Sequence, residues 1–512
     1  MKHVLPLFLT TGIFASGFAF IVTAQAAEPL SAIDWLSQSV NTPTAQPVAL
    51  PRPRSEPAIS QNAASPRVTV TSLDAPSPDP VGLLPSDVTG LPRDLWANSD
   101  SAVLARLIVS ERVDTLPAIR ELMMTLLLAQ ADAPLDAGPE GVLFLARIDK
   151  LLDLGALDPA LALLEQVDHA SPEVFRRWFD VALLTEAEDE ACDVMRITHS
   201  VAPTFPARIF CQARGGDWAT AALTLNTHRV LGDVTPQEEA LLTRFLDAAL
   251  FEDAPPLPAP DRISPLMFRM HEAIGEPLPT SRLPNAFAHA DLRTTTGWKA
   301  RLDAAERLAR TGAISPNVLH GIYTANTPAA SGGVWDRAAA VQRLDVAIAS
   351  GDVLRIDKTL PVTWDALRDA KLEVPFAMIY ASKVSGLPLT GHAASIGTTL
   401  GLLSPDYETV AQNAAPDFLT TLAMGTPVDP QTSLETAIYA AFHGAAPAPK
   451  LETLARNGQL GQALLQSINT FNAGFAGDQL ALTQALSFWR FVGLEDVARK
   501  AALQVLILDR SS

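Results

Sequence analysis

From about Leu95 to the C-terminus, apolar residues return every three or four positions, the mark of helices that bury one face. Ser101 to Ser110 sets Val103, Leu104, Leu107 and Ile108 in one stripe, with Ser99 or Asp100 placed to cap it. Leu116 to Ala129, Val142 to Leu154 and Pro159 to Gln166 repeat the pattern, and the breaks fall at Gly, Pro and Asp, where helices end. Asn-Gly or Asp-Gly turns between alternating runs, which would announce β-hairpins, are missing. The pattern predicts an all-α fold.

Several breaks share one form. Gly155-Ala-Leu-Asp-Pro, Gly216-Asp-Trp-Ala-Thr, Gly458-Gln-Leu-Gly-Gln and Gly493-Leu-Glu-Asp-Val each put Gly after one helix and a large apolar residue one or two positions on. Gly takes the left-handed conformation that ends the first helix, the large residue plugs the hairpin, and small residues let the second helix pack closely. These turns resemble those of tetratricopeptide and related helix-pair repeats. Their spacing is irregular, 61 residues from Gly155 to Gly216 and 35 from Gly458 to Gly493. The expected architecture is an irregular α-solenoid, with an ordinary helical bundle as the competing reading. Gln479 to Asp509 reads as a strongly apolar helix pair that closes the array.

The N-terminal region is different. Met1-Lys2-His3, the apolar run Val4 to Val22 and Ala24-Gln25-Ala26 have the layout of a secretory signal peptide, cleaved after Ala26 or Ala27. An uncleaved signal anchor is the alternative. Dense prolines then make residues 27–92 a flexible linker, since they remove backbone donors and fix φ. Ser31 to Val40, carrying Ile33, Trp35 and Leu36, is a short amphipathic segment within it, either an arm docked on the body or a tethered recognition peptide; Arg67 to Ser72 has the alternation of an edge strand. Residues 93–252 form a first helical region, a Pro-rich stretch over 253–265 is a hinge, and 266–512 form a second helical region.

Composition narrows the function classes. Apolar residues make up 48% of the chain and aromatics only 6%, so the core is built from Leu, Ala, Val and Ile, which suits packed helices. A net charge of −18 repels phosphate backbones and anionic surfaces, which argues against nucleic acid as a partner. After Val22 no stretch is long and apolar enough to span a bilayer. Cys192 and Cys211 flank the turn between two predicted helices, Ala187 to Thr198 and Ala207 to Arg214, at matching heights; in an exported chain they form one disulfide, with two buried thiols as the alternative.

Signatures of chemistry are sparse. Phosphate-binding and dinucleotide-binding glycine loops and G-x-S-x-G are absent, and Ala393-Ala-Ser-Ile-Gly397 lacks the first Gly of the last. His271-Glu272 opens like a zinc-protease motif, but Gly275 stands where the second ligand is needed, and no two of the nine histidines lie three or four apart. No cofactor and no metal is expected. The acidic run Glu186, Glu188, Asp189, Glu190 reads as a solvated helix start. Arg177 and Trp178, and Trp489 and Arg490, combine arginine with aromatics as interfaces do, so with Trp35 they are the candidate partner-binding residues; in helices, the aromatics Trp178, Phe179, Trp489 and Phe491 more often belong to the core. Soluble lytic transglycosylases share an exported helical-repeat body, but their catalytic Glu-Ser pair occurs nowhere here.

The order of features looks like that of a group of exported, alphaproteobacterial helical proteins: Glu28-Pro-Leu-Ser-Ala-Ile-Asp-Trp-Leu-Ser37, the Pro-rich linker, Leu73-Asp-Ala-Pro-Ser-Pro-Asp79, then helices. Some members carry the label "antifreeze glycopeptide", whose Ala-Ala-Thr repeats this chain lacks. The expected function is a non-enzymatic periplasmic scaffold whose concave surface meets an envelope protein or a peptidoglycan-associated partner. The alternatives are a glycan-acting hydrolase with carboxylates distant in sequence, and a purely structural or stress-related envelope protein.

Overall fold

The computed structural model of the chain describes residues 77–508. Among these residues the structure is all-helical, with a single isolated bridge, Leu84 to Ala129, and no strands. No helix among them is long and apolar enough to cross a membrane. The signal region, the Trp35 segment and Arg67 to Ser72 lie outside the described residues.

The first helices are α1 (Ser86–Thr89), α2 (Ser101–Ser110), α3 (Pro117–Leu128), α4 (Val142–Leu154) and α5 (Leu157–Leu164). Asp100 caps α2, accepting from the Val103 N–H, and Leu104 and Ile108 carry its stripe inward. Next come α6 (Pro172–Thr185), α7 (Glu188–Ile197), α8 (Phe205–Arg214), α9 (Trp218–Leu231), α10 (Pro236–Leu246) and α11 (Pro265–Ala273). A 3₁₀ helix over Asn285–Leu292 leads to α12 (Trp298–Arg310), α13 (Pro316–Thr324), α14 (Val334–Ser350), α15 (Val353–Arg368), α16 (Glu373–Val384) and α17 (Gly391–Leu402). The last are α18 (Tyr407–Asn413), α19 (Phe418–Ala423), α20 (Ser433–Phe442), α21 (Pro449–Arg456), α22 (Leu460–Phe475), α23 (Gln479–Phe491) and α24 (Glu495–Ile507).

The four Gly turns behave alike. Gly155, Gly216, Gly458 and Gly493 all have φ between 75° and 86°. In each, the next residue's N–H reaches back five positions to close the helix end: Ala156 to Leu151, Asp217 to Gln212, Gln459 to Leu454 and Leu494 to Trp489. The plug residues differ. Leu157 is fully buried, whereas Trp218 is half exposed and only borders Phe245.

Helices adjacent in sequence pack as neighbours, and two circuits of neighbours close. In the first, α5 to α11 succeed one another and α11 returns to α6, forming a lobe joined to the rest through α4 and the 3₁₀ helix. Cys192 of α7 and Cys211 of α8 are bonded within it, their Cα atoms 5.0 Å apart. Closing a loop with a sequence separation of 19 restricts the unfolded chain by about 3 kcal/mol. The second circuit runs α3, α4, the 3₁₀ helix, α12, α13, α16, α17, α18, α19, α24, and back to α3. The apolar core is continuous from Leu91 to Leu508.

Along the seam where the circuit shuts, helices from the first and last parts of the described residues meet. Trp96 is fully buried against Gly461, whose N–H donates to the Leu95 carbonyl at 3.0 Å. Gln504 Oε1 accepts from the Ala118 N–H at 2.8 Å, and Asn469 Nδ2 donates to Glu111 at 2.8 Å. The terminal pair α23–α24 therefore does not end an open array: α24 packs on α3.

Two boundaries read from proline density shift. Residues 77–92 are part of the body rather than linker. Asp79 is buried and accepts from the Phe144 N–H at 2.7 Å, while the buried Arg147 guanidinium donates to the carbonyls of Asp79, Val81, Leu127 and Ala129. A guanidinium surrounded by carbonyls holds the turn and extended stretch that lead into α1. The stretch 253–265 is likewise tied down: Arg244 bonds both the Pro255 carbonyl and Glu276, and Glu276 accepts from the Leu257 N–H.

Candidate functional site

Helix α6 is buried all round from Val174 to Leu184, charges included, and it floors a wide groove. This groove, about 770 Å3, is walled by the α7–α8 loop (Pro203 to Ala207), the α9–α10 turn (Gly232 to Glu238) and α11 with Ile263 and Met267. Pro at the first or second position of α8, α10 and α11 starts each wall helix at the groove edge, where a missing N–H costs nothing. Phe205 is held by stacking on His228, whose Nδ1 lies 2.8 Å from Asp233.

Arg176, Phe179 and Asp180 form the floor. Asp180 Oδ2 is buried without a hydrogen-bond partner and stands 3.9 Å from Arg176 Nη1. Burial pushes the Asp180 carboxyl up to about 7, against the pull of Arg176 and Arg177. Its neighbour Asp149 takes Nε and Nη2 of Arg177, at 2.6 and 2.7 Å, and Glu173 takes Nη1, which leaves Asp180 the under-served carboxylate. The groove thus joins mixed walls, apolar at Phe205, Val234, Ile263 and Met267 and charged at Asp233, Glu238, Asp261 and Arg262, to one buried acceptor oxygen. A ligand N–H or ammonium reaching the floor meets a group that no hydrogen bond among the described residues satisfies.

The candidate partner-binding residues are not on this surface. Arg177 is buried in its ion pairs with Asp149 and Glu173, and Trp178 is buried beneath His169, ring centroids 4.1 Å apart. Trp489 is fully buried, its Nε1 donating to Ser467 Oγ at 2.7 Å. Arg490 bonds Glu495 and the Ala441 carbonyl and lies over Phe442. Arg177, Trp178 and Trp489 are thus buried in packing, while Arg490 keeps 27% of its side chain exposed; Trp35 lies outside the described residues. Phe491, expected in the core, is 46% exposed. The acidic run is only partly solvated: Glu188 is buried and paired with Arg214 at 3.2 Å and Arg269 at 2.7 Å.

Two other buried polar clusters are closed networks. Glu306 is buried and accepts from Tyr323 and from both ends of the Arg337 fork. His320, Asp345 and Tyr380 are hydrogen-bonded in a row, beside a void of only about 10 Å3. Among the described residues no group of three or more His, Cys, Asp or Glu side chains is arranged to hold a metal ion. The groove itself left one trace in the sequence, the charges Arg176, Arg177 and Asp180 inside an otherwise apolar helix. Its walls come from loops roughly 25 to 90 residues further on and carry no shared pattern. No family model matches the chain, and no curated protein or solved structure matches it either, so the resemblance to exported alphaproteobacterial proteins gains no support from them.

Proposed function

We propose that the chain is an exported, non-enzymatic helical protein of the cell envelope, an irregular α-solenoid closed on itself, that binds a segment of an envelope protein or a peptidoglycan-associated partner. The observation that carries this reading is the groove over α6, whose walls mix apolar residues with charged ones and whose floor holds the unbonded Asp180 Oδ2. Because the circuit of helices shuts, the partner meets this groove on the lobe rather than an open concave face. The disulfide of α7 and α8 supports export, being stable in an oxidising compartment. A photo-crosslinking residue at Met267 in cells of the native host is expected to capture a discrete adduct that Phe179→Lys abolishes. A reproducible absence of adducts overturns the reading.

A second reading, a glycan-acting hydrolase, is favoured by one observation: a groove carboxyl pushed up to about 7 suits a general acid. Release of fragments from purified sacculi by the wild type but not by Asp180→Asn would establish it in place of the first.

A further inference from the structure

Helices α14 and α15 pack side by side, joined by a turn at Gly351, whose φ is 67°. Between their outer faces and the loop at Thr327 and Pro328 runs a groove of about 620 Å3. We propose that this groove receives a segment of the chain itself, Glu28-Pro-Leu-Ser-Ala-Ile-Asp-Trp-Leu-Ser37, which lies outside the described residues.

The groove is cationic and aliphatic. Arg343 of α14 and Lys358 of α15 are exposed in it, and among the described residues neither has an ion-pair or hydrogen-bond partner. No acidic side chain lines the groove with them. Arg355, the third cation, is taken by Asp352 at 3.1 Å and is left out of the balance. The neutral polar residues are engaged as well: the Gln342 amide donates to the carbonyls of Tyr323 and Asn326, and the Thr359 hydroxyl donates to that of Arg355. Val346 follows Arg343 by one turn, while Leu354 and Val362 stand one turn to either side of Lys358, and all three are more than half exposed. Exposed aliphatic residues interleaved with unpaired cations make a face suited to an acidic, apolar segment.

The segment supplies the opposite pattern. Glu28 and Asp34 are its only charges, and Leu30, Ile33, Trp35 and Leu36 are its large apolar residues. Its two carboxylates can engage the two unpaired cations while the apolar residues cover Val346 and its neighbours. Reach is no obstacle. Ser77, where the described residues begin, stands 40 positions after Ser37, an extended span of roughly 130–145 Å. A body of this size has a radius of gyration of about 22 Å, so the segment reaches any face and charge decides between them. The groove over α6 carries Asp233, Glu238 and Asp261 on its walls, which repel the two carboxylates. The α14–α15 groove attracts them, in a molecule whose net charge is −18.

Disulfide trapping on the full chain tests this. Ser37→Cys is combined with Val346→Cys in the groove or, as a control, with Val230→Cys on α9, an exposed apolar position whose neighbour Arg229 is already paired with Glu239. Under mild oxidation the bond from position 37 to position 346 is expected to form within one chain, about fivefold faster than the bond to position 230. Mass spectrometry of tryptic peptides identifies each bond and checks that Cys192–Cys211 is intact. Arg343→Glu with Lys358→Glu, both at exposed positions, should bring the rate at position 346 down to that of the control. Adding Glu28→Lys and Asp34→Lys to that variant should restore about half of the advantage. Equal rates at the two positions, a rate indifferent to the charge reversals, or a bond formed only between chains overturns the proposal. The first of these results would leave the groove to a separate partner, and the last to a second copy of the chain.

Discussion

Single ionisable residues sit in this fold where water is scarce, and Glu111 is the sharpest case. Burial pushes its carboxyl from the ordinary 4.5 up to about 8, although the Lys150 ammonium pulls the other way. Lys150 is bonded to the Glu111 backbone carbonyl and to Asp153 rather than to the Glu111 carboxyl, so its compensation is partial. Between those two values the unfolded chain has released the proton and the folded chain keeps it. Stability from this group is therefore lost as pH rises from about 4.5 towards 8 and is level above. Glu111→Gln should melt higher than the wild type at pH 8, and the gain should shrink steadily towards pH 5. Comparing the two proteins cancels the opposite slopes of His271 and His289, whose burial holds them below the ordinary imidazole range. A gain that is the same at every pH would show that Glu111 does not hold its proton in the fold.

Helices and their turns were the most legible level. The 3.6-residue stripe placed α2 and α4 to the residue, and the Gly-plus-plug pattern located four helix ends whose φ values are all left-handed. Two of those turns separate backbone conformation from crowding. At Gly216 a Cβ meets nothing, so Gly216→Ala should cost only the left-handed penalty, about 1 kcal/mol. At Gly155 a Cβ lands 2.9 Å from Leu308 and 3.0 Å from Asn285, so Gly155→Ala adds a steric cost and should destabilise by about 2–3 kcal/mol in chemical denaturation. Equal losses at the two sites would contradict the packing of the Gly155 turn on α12. What the pattern could not convey was which buried face meets which. Arg177, Trp178, Trp489 and Arg490 have interface composition, yet a composition is the same whether the neighbour is another chain or another helix of this one. The groove left only the charges of α6 as a trace, because its walls are assembled from segments whose periodicity is explained by their own core contacts.

At the scale of the whole molecule the defining feature is the seam between α2–α3 and α22–α24. Trp96 is wedged there at zero exposure, and Trp96→Ala should cost about 3–5 kcal/mol. Calorimetry is expected to give one transition, moved as a unit. Two endotherms with only one displaced would mean that the halves on either side of residue 253 melt separately. The seam also governs how the chain reaches its structure. Its hydrogen bonds join residues 358 and 386 positions apart, Asn469 to Glu111 and Gln504 to Ala118. An open repeat array grows by nearest-neighbour contacts and can be structured as it emerges. Here the first helices remain without their final neighbours until the last have been made, and closing so long a loop is slow. α3 thus spends the whole of synthesis with an apolar face uncovered, which makes the interval before closure the time when this protein is most exposed to aggregation, and most in need of a chaperone.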